Sequence, residues 1–208
     1  MTSTGDDVPP TVSPRKLTLD DILDLRAYER TREEFRRQII DLKARRRLML
    51  GTFISLVFEN RETIRSQIQE MARAEKLSTD DEIQVELDIY NPMIPEPGRL
   101  CATLFIELIS DDSMREWLPR LVGIERAIVI RLADGSLIRS YPEAQHESQL
   151  TRADTTSAVH YLHFDVSPEQ VELLARSGGV LACDHPNYQE EIELSALNVA
   201  ELVADLRS

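Results

Sequence analysis

Glycine is scarce in this sequence. Seven glycines among 208 residues leave little material for the backbone cradles that hold phosphates, and no Gly-x-Gly-x-x-Gly or P-loop pattern occurs. The nucleophile elbow Gly-x-Ser-x-Gly and the zinc-protease signature His-Glu-x-x-His are missing too. Only two cysteines are present, Cys101 and Cys183, too few and too far apart for a disulfide framework or a cluster-binding set. The four histidines begin at His146, so the N-terminal half offers no imidazole to a metal. Long apolar runs are absent as well. Leu48–Phe58, the longest uncharged run in that half, stops at 11 residues, whereas a membrane span needs ~20. No apolar h-region precedes the body. A cytoplasmic protein with no membrane partner is the expectation.

Basic charge is outnumbered. With 24 Lys and Arg against 37 Asp and Glu, the net charge is −13, which argues against general nucleic-acid binding because phosphate contacts need a cationic surface. The charge is unevenly spread. Between Arg26 and Arg47 nine bases meet four acids, so this segment is +5 and the remainder −18. Glu33 with Arg37, and Asp41 with Arg45, lie four apart and neutralise part of it along a helix. The residual Lys43–Arg47 cluster either docks an acidic partner or lies against the chain's own acidic C-terminal half; self-neutralisation is the simpler outcome. A hydrophobic content of 42% suits a globular body. A chain this long can bury about 70% of its extended surface without a metal or disulfide staple.

Met1–Lys16 is polar and proline-containing and reads as a disordered tail. Residues 17–91 read as a mainly helical half with one strand. Thr18-Leu19-Asp20-Asp21 is a helix-start signal. Phe35, Ile39 and Leu42 predict a helix over 28–46; Ile64, Ile68 and Met71 predict another over 61–75. Leu48–Phe58, apolar on both alternating faces, predicts a single strand covered on both sides. The segment 81–91 fits strand and helix alike, and the acids Asp80, Asp81 and Glu82 after Ser78 favour the helix. Pro92, Pro95, Pro97 and Gly98 make 92–99 a connector.

Residues 100–208 follow as an α+β half. A strand at 101–109, a helix capped by Ser110, a strand at 127–133 and a hairpin turn at Asp134-Gly135 lead back to 141. After a polar loop over 143–156, suited to binding and carrying His146, come a strand at 158–166 and the capping box Ser167-Pro168-Glu169-Gln170. That helix ends at Gly178-Gly179, and 180–184 is the last strand. A closing helix from Ser195 buries Val199, Leu202, Val203 and Leu206. The fold class is α+β: a helical N-terminal half packed with a mainly antiparallel sheet in one compact body. Strand–helix–strand occurs twice with a hairpin between, which matches a ferredoxin-like split βαβ in the C-terminal half. Many functions use that architecture, so the chemistry must be argued from side chains.

Two constellations carry chemistry. Cys183 and His185, two apart on an extended segment, point the same way and can share a metal with His160 or His163 as third ligand. Those two histidines, three apart, take opposite faces of their strand. His160 shares the apolar face with Leu162 and Phe164, where a hydrogen-bonded core histidine is the plainer account. The second constellation is the seam between the helices at 61–75 and 79–91, where Gln67, Glu70 and Glu75 face Glu82, Glu86 and Tyr90. Facing carboxylates bind a divalent cation or work as an acid–base pair; neutralisation by Arg61, Arg65 and Arg73 is the structural alternative. The candidate metal ligands are therefore Glu70, Glu86, His160, Cys183 and His185, and the candidate cofactor is a divalent metal: iron, zinc or manganese.

Several short stretches occur together: Phe58-Glu59-Asn60, Gln67-Ile68-Gln69-Glu70-Met71, Glu86-Leu87 with Tyr90-Asn91 and Ile94-Pro95, Ala158-Val159-His160-Tyr161-Leu162, and His185-Pro186-x-Tyr188. Over about residues 16 to 206 this set resembles the bacterial family known as domain of unknown function 3501. The resemblance implies no established activity. It does imply a place beside iron or peroxide metabolism, because genes of that family lie near those of rubrerythrin-like and iron–sulfur oxidoreductase proteins. It also puts weight on Glu59, Gln67, Glu70, Glu86, Tyr90, His160 and His185 as one site. Two functional expectations result. The first is an accessory or binding protein that works with a redox partner and has no turnover of its own. The second is a metal-dependent enzyme using a carboxylate/histidine site. A homo-oligomer is left open.

Overall fold

The structure, a computed structural model, describes residues 13–144 and 154–207. Residues 1–12 of the expected tail and most of the expected polar loop, with His146, lie outside the described residues. Ser13–Lys16, assigned to that tail by composition, is anchored: the Lys16 ammonium donates to the carbonyls of Ile94 (2.7 Å) and Asn91 (3.1 Å) and pairs with Glu96 at 3.0 Å.

Thr18 opens a single 3-10 turn, Leu19–Asp21, and Asp24 then caps α1 (Leu25–Arg46) by accepting from the N–H groups of Arg26 and Ala27. The apolar run that follows is a hairpin, β1 (Arg47–Leu50) and β2 (Ile54–Phe58), not the single strand expected. Gly51, at φ +73°, makes the reversal. Every residue of β2 is buried, and only the exposed Gly51-Thr52 pair interrupts the apolar run at the turn. Asn60 and Thr79 cap α2 (Arg61–Glu75) and α3 (Asp80–Tyr90). Segment 81–91 is helical because Thr79 caps it while Glu82 accepts from the N–H groups of Ser78 and Thr79.

Next come β3 (Arg99–Ile106), α4 (Asp111–Arg120), β4 (Ile128–Leu132), β5 (Leu137–Arg139) and β6 (Tyr141–Pro142). They are followed by β7 (Val159–Asp165), α5 (Pro168–Ser177), β8 (Gly179–His185), β9 (Tyr188–Glu193) and α6 (Ala196–Arg207). The strand β9 was not anticipated. Its Gln189-Glu190-Glu191 run reads as loop, and only Tyr188 and Ile192 pack against the core; dense charge is what an edge strand tolerates.

The strands form two antiparallel sheets, ordered β1-β2-β3-β7-β6 and β5-β4-β8-β9. This corrects the ferredoxin-like expectation. A split βαβ keeps its four strands in one sheet, whereas here α4 and α5 each carry the chain from the first sheet to the second. The physical reason is that both sheets own a predominantly apolar face, and the two faces bury one another. Leu56, Leu104 and Phe164 from the first meet Ile128, Ile130 and Leu181 from the second, with Leu174 and Leu202 of α5 and α6 sealing the same core. The other face of the first sheet lies under α2 and α3, where Leu17, Ile64, Ile68, Leu87, Met93 and Cys101 form a second apolar cluster. The connector at 92–99 divides nothing in this scheme, since β2 before it pairs with β3 after it.

The basic end of α1 is neutralised from within. Arg45 meets Glu201 at 2.9 Å, and Arg47 meets Glu107 at 2.7 Å. Arg46, only 3% exposed, reaches Asp205 at 2.7 Å, Glu201 at 3.0 Å and the Phe58 carbonyl at 3.2 Å. Among the described residues no helix is long and apolar enough to cross a membrane.

Candidate functional site

The five candidate ligands are not gathered into one group. Glu70 turns from the α2–α3 seam toward α1, where it accepts from Tyr28 Oη (2.7 Å), Arg32 Nε and Nη2 (2.8 and 3.0 Å) and, within its own helix, Arg73 Nε (3.3 Å). The Arg32 hydrogen bond foremost, with Tyr28 and Arg73 outweighing burial, holds its carboxyl at about 2. Glu86 is buried on α3, and burial, reinforced by the charge of Glu75, holds its carboxyl above the usual range. The seam thus contains Glu75 and Glu86 without Glu70.

The imidazoles and the thiol serve the architecture. On the inner face of the first sheet, His160 Nε2 lies 3.0 Å from the Ser157 carbonyl and 2.8 Å from Thr156 Oγ1. A carbonyl only accepts, so Nε2 carries the proton. Burial pulls this imidazole below its ordinary value, with Glu125 acting the other way. Cys183 and His185 do share the inner face of β8. However, His185 Nε2 faces the Val122 carbonyl at 3.1 Å and its Nδ1 accepts from the Asn187 N–H at 3.2 Å, so neither nitrogen is free to ligate. Burial pushes the Cys183 thiol up to about 11. Among the described residues no three His, Cys, Asp or Glu side chains gather into a metal-holding group.

The structure gathers a different set on the helix-facing side of the first sheet. Glu59 leaves β2 just before α2 and is 3% exposed. Its N–H donates to the Cys101 carbonyl at 2.8 Å, and its Oε1 accepts from Thr103 Oγ1 at 2.6 Å. It lies one residue before the Asn60 cap of α2. Thr103 stands opposite Tyr161 across the β3–β7 ladder, and Cys101 opposite His163. The Tyr161 hydroxyl bonds Gln67 of α2 and Tyr90 of α3, and burial first, then the neighbouring Tyr90 and Glu59, raises it to about 12.

Two atoms in this seam are buried without any hydrogen-bond partner among the described residues: Glu59 Oε2 and His163 Nε2. Chemically the seam offers an acceptor with an open lone pair, beside a phenol that remains protonated at any physiological pH. Glu59, Gln67 and Tyr90 were weighted by the family resemblance; Thr103 and Tyr161 were not recognised as their partners, and His163 was weighed only as a third ligand for Cys183 and His185. The available signal was alternation, since Thr103 is the one hydroxyl in β3, whose other residues after Arg99 are apolar, and Tyr161 and His163 share its face.

Fold and site together define an α+β protein of two face-packed antiparallel sheets, with a buried carboxylate–phenol seam between one sheet and a helical hairpin. The chain belongs to the DUF3501 family of proteins of unknown function, whose model matches residues 16–206. It is similar to a protein of unknown function from Burkholderia pseudomallei solved by crystallography at 1.90 Å resolution. The two are 36% identical, the match covers 92% of this chain and 99% of the other, and the TM-score is 0.84. A search of curated proteins found no match.

Proposed function

We propose that this chain is a cytoplasmic accessory protein, without turnover of its own, that binds redox proteins of iron or peroxide metabolism. The observation that supports it most is the internal engagement of the reactive groups. The Glu70 carboxylate holds three donors, His160 and His185 donate to backbone carbonyls, and both thiols are buried and protonated. What remains for a partner is surface, acidic on balance at a net charge of −13, with Arg45, Arg46 and Arg47 at the end of the basic segment already paired with Glu201, Asp205 and Glu107. The redox class of the partner comes from the family resemblance. A pull-down from native lysate at low salt tests the reading, with rubrerythrin-like or iron–sulfur proteins expected in the eluate. Recovery of no redox protein by a folded bait would overturn it.

A second reading, a metal-dependent enzyme, is favoured by the open positions on Glu59 and His163. Elemental analysis of untagged protein purified without chelator separates the two. Stoichiometric iron, zinc or manganese, lost in Glu59→Ala, selects the enzyme; traces of metal leave the accessory role.

A further inference from the structure

The two sheets are covered differently. The first has the second sheet on one face and α2 with α3 on the other. The second sheet buries its inner face, but on its outer face Leu137, Arg139, Asp184, Gln189, Glu191 and Glu193 stand exposed. That face is a shallow depression of about 720 Å³ floored by Val129 and Ala182. Strand register lays it out as a grid. One row runs Arg139–Val129–Ala182–Glu191 from β5 to β9, and the next runs Leu137–Arg131–Val180–Glu193. Both arginines therefore stand on β4 and β5, and all three acids, Asp184 included, stand on β8 and β9. A strip of Val and Ala lies between them.

Segregation of this kind has a geometric consequence. A two-fold axis lying along the strands brings the β8–β9 half of one copy over the β4–β5 half of the other. An axis running across the strands would instead set like charge on like. We propose that the outer face of the second sheet is a self-association surface, on which a second copy of this chain docks about a two-fold axis parallel to the strands. Arginines 131 and 139 of each copy then meet Asp184, Glu191 and Glu193 of the other, around an apolar strip both contribute. Such an interface is isologous, so one patch is its own complement. Arg131 to Glu191 (2.8 Å) and Arg139 to Asp184 (3.0 and 2.5 Å) already pair within the chain, which pre-orders the side chains that would be shared. The footprint, four strands by about six residues, is on the order of 400 Å² when flat. Standard interfaces bury ~800 Å² per partner. The association expected is micromolar and concentration-dependent.

Sedimentation velocity of the full chain from about 5 to about 200 µM tests it, in about 0.15 M salt so that the net repulsion of two −13 bodies is screened. The mass is expected to climb from 23.8 kDa toward twice that value. The pair Glu191→Arg with Glu193→Arg makes the face almost wholly cationic, and Arg131→Glu with Arg139→Glu makes it wholly anionic. Each variant alone is expected to lose association at least about tenfold, and an equimolar mixture of the two to regain it as a heterodimer. If circular dichroism shows either variant unfolded, Leu137→Glu on an exposed position replaces it, with the same loss expected. A wild-type monomer across the whole range, or a dimer indifferent to these charges, overturns the proposal.

Discussion

Glu70 shows how much of a carboxylate's behaviour depends on its partners. With Tyr28, Arg32 and Arg73 around it, its folded pKa of about 2 lies below the ordinary 4.5. The paired state therefore stabilises the fold fully above about pH 4.5, and this contribution is lost as pH falls toward 2. The side chain is 32% exposed, so solvent screening leaves ~1–2 kcal/mol. Glu70→Gln is expected to lose that amount at pH 7. Urea midpoints measured from pH 5 to 2 should also fall less steeply in the variant than in the parent. Glu59 is the opposite case, a carboxylate with one donor. Thr103→Val removes that donor and is expected to cost ~1–3 kcal/mol in urea unfolding, while Glu59→Leu in the same background restores much of it, because two matched apolar groups leave nothing unsatisfied. The thiols give a third check at this scale. Burial pushes Cys101 up to about 12 and Cys183 to about 11. Neither is expected to react with a disulfide reagent in native protein at neutral pH, and both should react once the chain is unfolded.

Among the elements, the β1–β2 hairpin is the one most tightly specified by contacts from outside itself. Tyr188, the first residue of β9, donates its hydroxyl to the Leu50 carbonyl at 2.7 Å and accepts from the Thr52 N–H at 3.0 Å. Phe53 at the tip packs on the same ring at a tilt of 53°, centroids 4.8 Å apart. Gly51 between them is left-handed, and a Cβ there would collide with the Tyr188 hydroxyl and the Glu190 side chain. Tyr188→Phe is expected to cost ~1–2 kcal/mol by urea titration, through the two lost hydrogen bonds. Gly51→Ala should cost more, ~2–4 kcal/mol, because strain and collision add to the loss of the clamp. The turn and β9 were overlooked together, and for one reason. Each justifies the other in space, while the sequence shows only an uncharged, largely apolar run and, 137 residues beyond Gly51, a lone tyrosine before an acidic stretch.

For the whole molecule, the ion pairs between α1 and α6 matter most. Arg46 is buried against Asp205, Glu201 and the Phe58 carbonyl, so the two ends of the chain close over the first sheet. Arg46→Ala leaves two acids facing a dry seam and is expected to cost ~3–5 kcal/mol, read from the urea midpoint at pH 7. Arg46→Met combined with Asp205→Leu should recover most of it, since the burial penalty of both charges disappears together. The same contacts, with Arg45 on Glu201 and Arg47 on Glu107, engage the last three arginines of the basic segment within the chain itself.

Periodicity and punctuation in the sequence determined the helices, their caps, most strands and the face on which each side chain stands. All of these depend on neighbours two to four residues away. The sequence also identified the two ends of the ionic closure as a basic segment and an acidic C-terminal half. Tertiary structure alone decided that strands joined by helices enter different sheets, that His160 and His185 face backbone carbonyls, and that Glu59 meets Thr103 beside Tyr161. Those outcomes depend on groups far apart along the chain, as with Arg46 and Asp205, separated by 159 positions. The free energy of such a contact depends on how every intervening element has packed, and no local pattern encodes it.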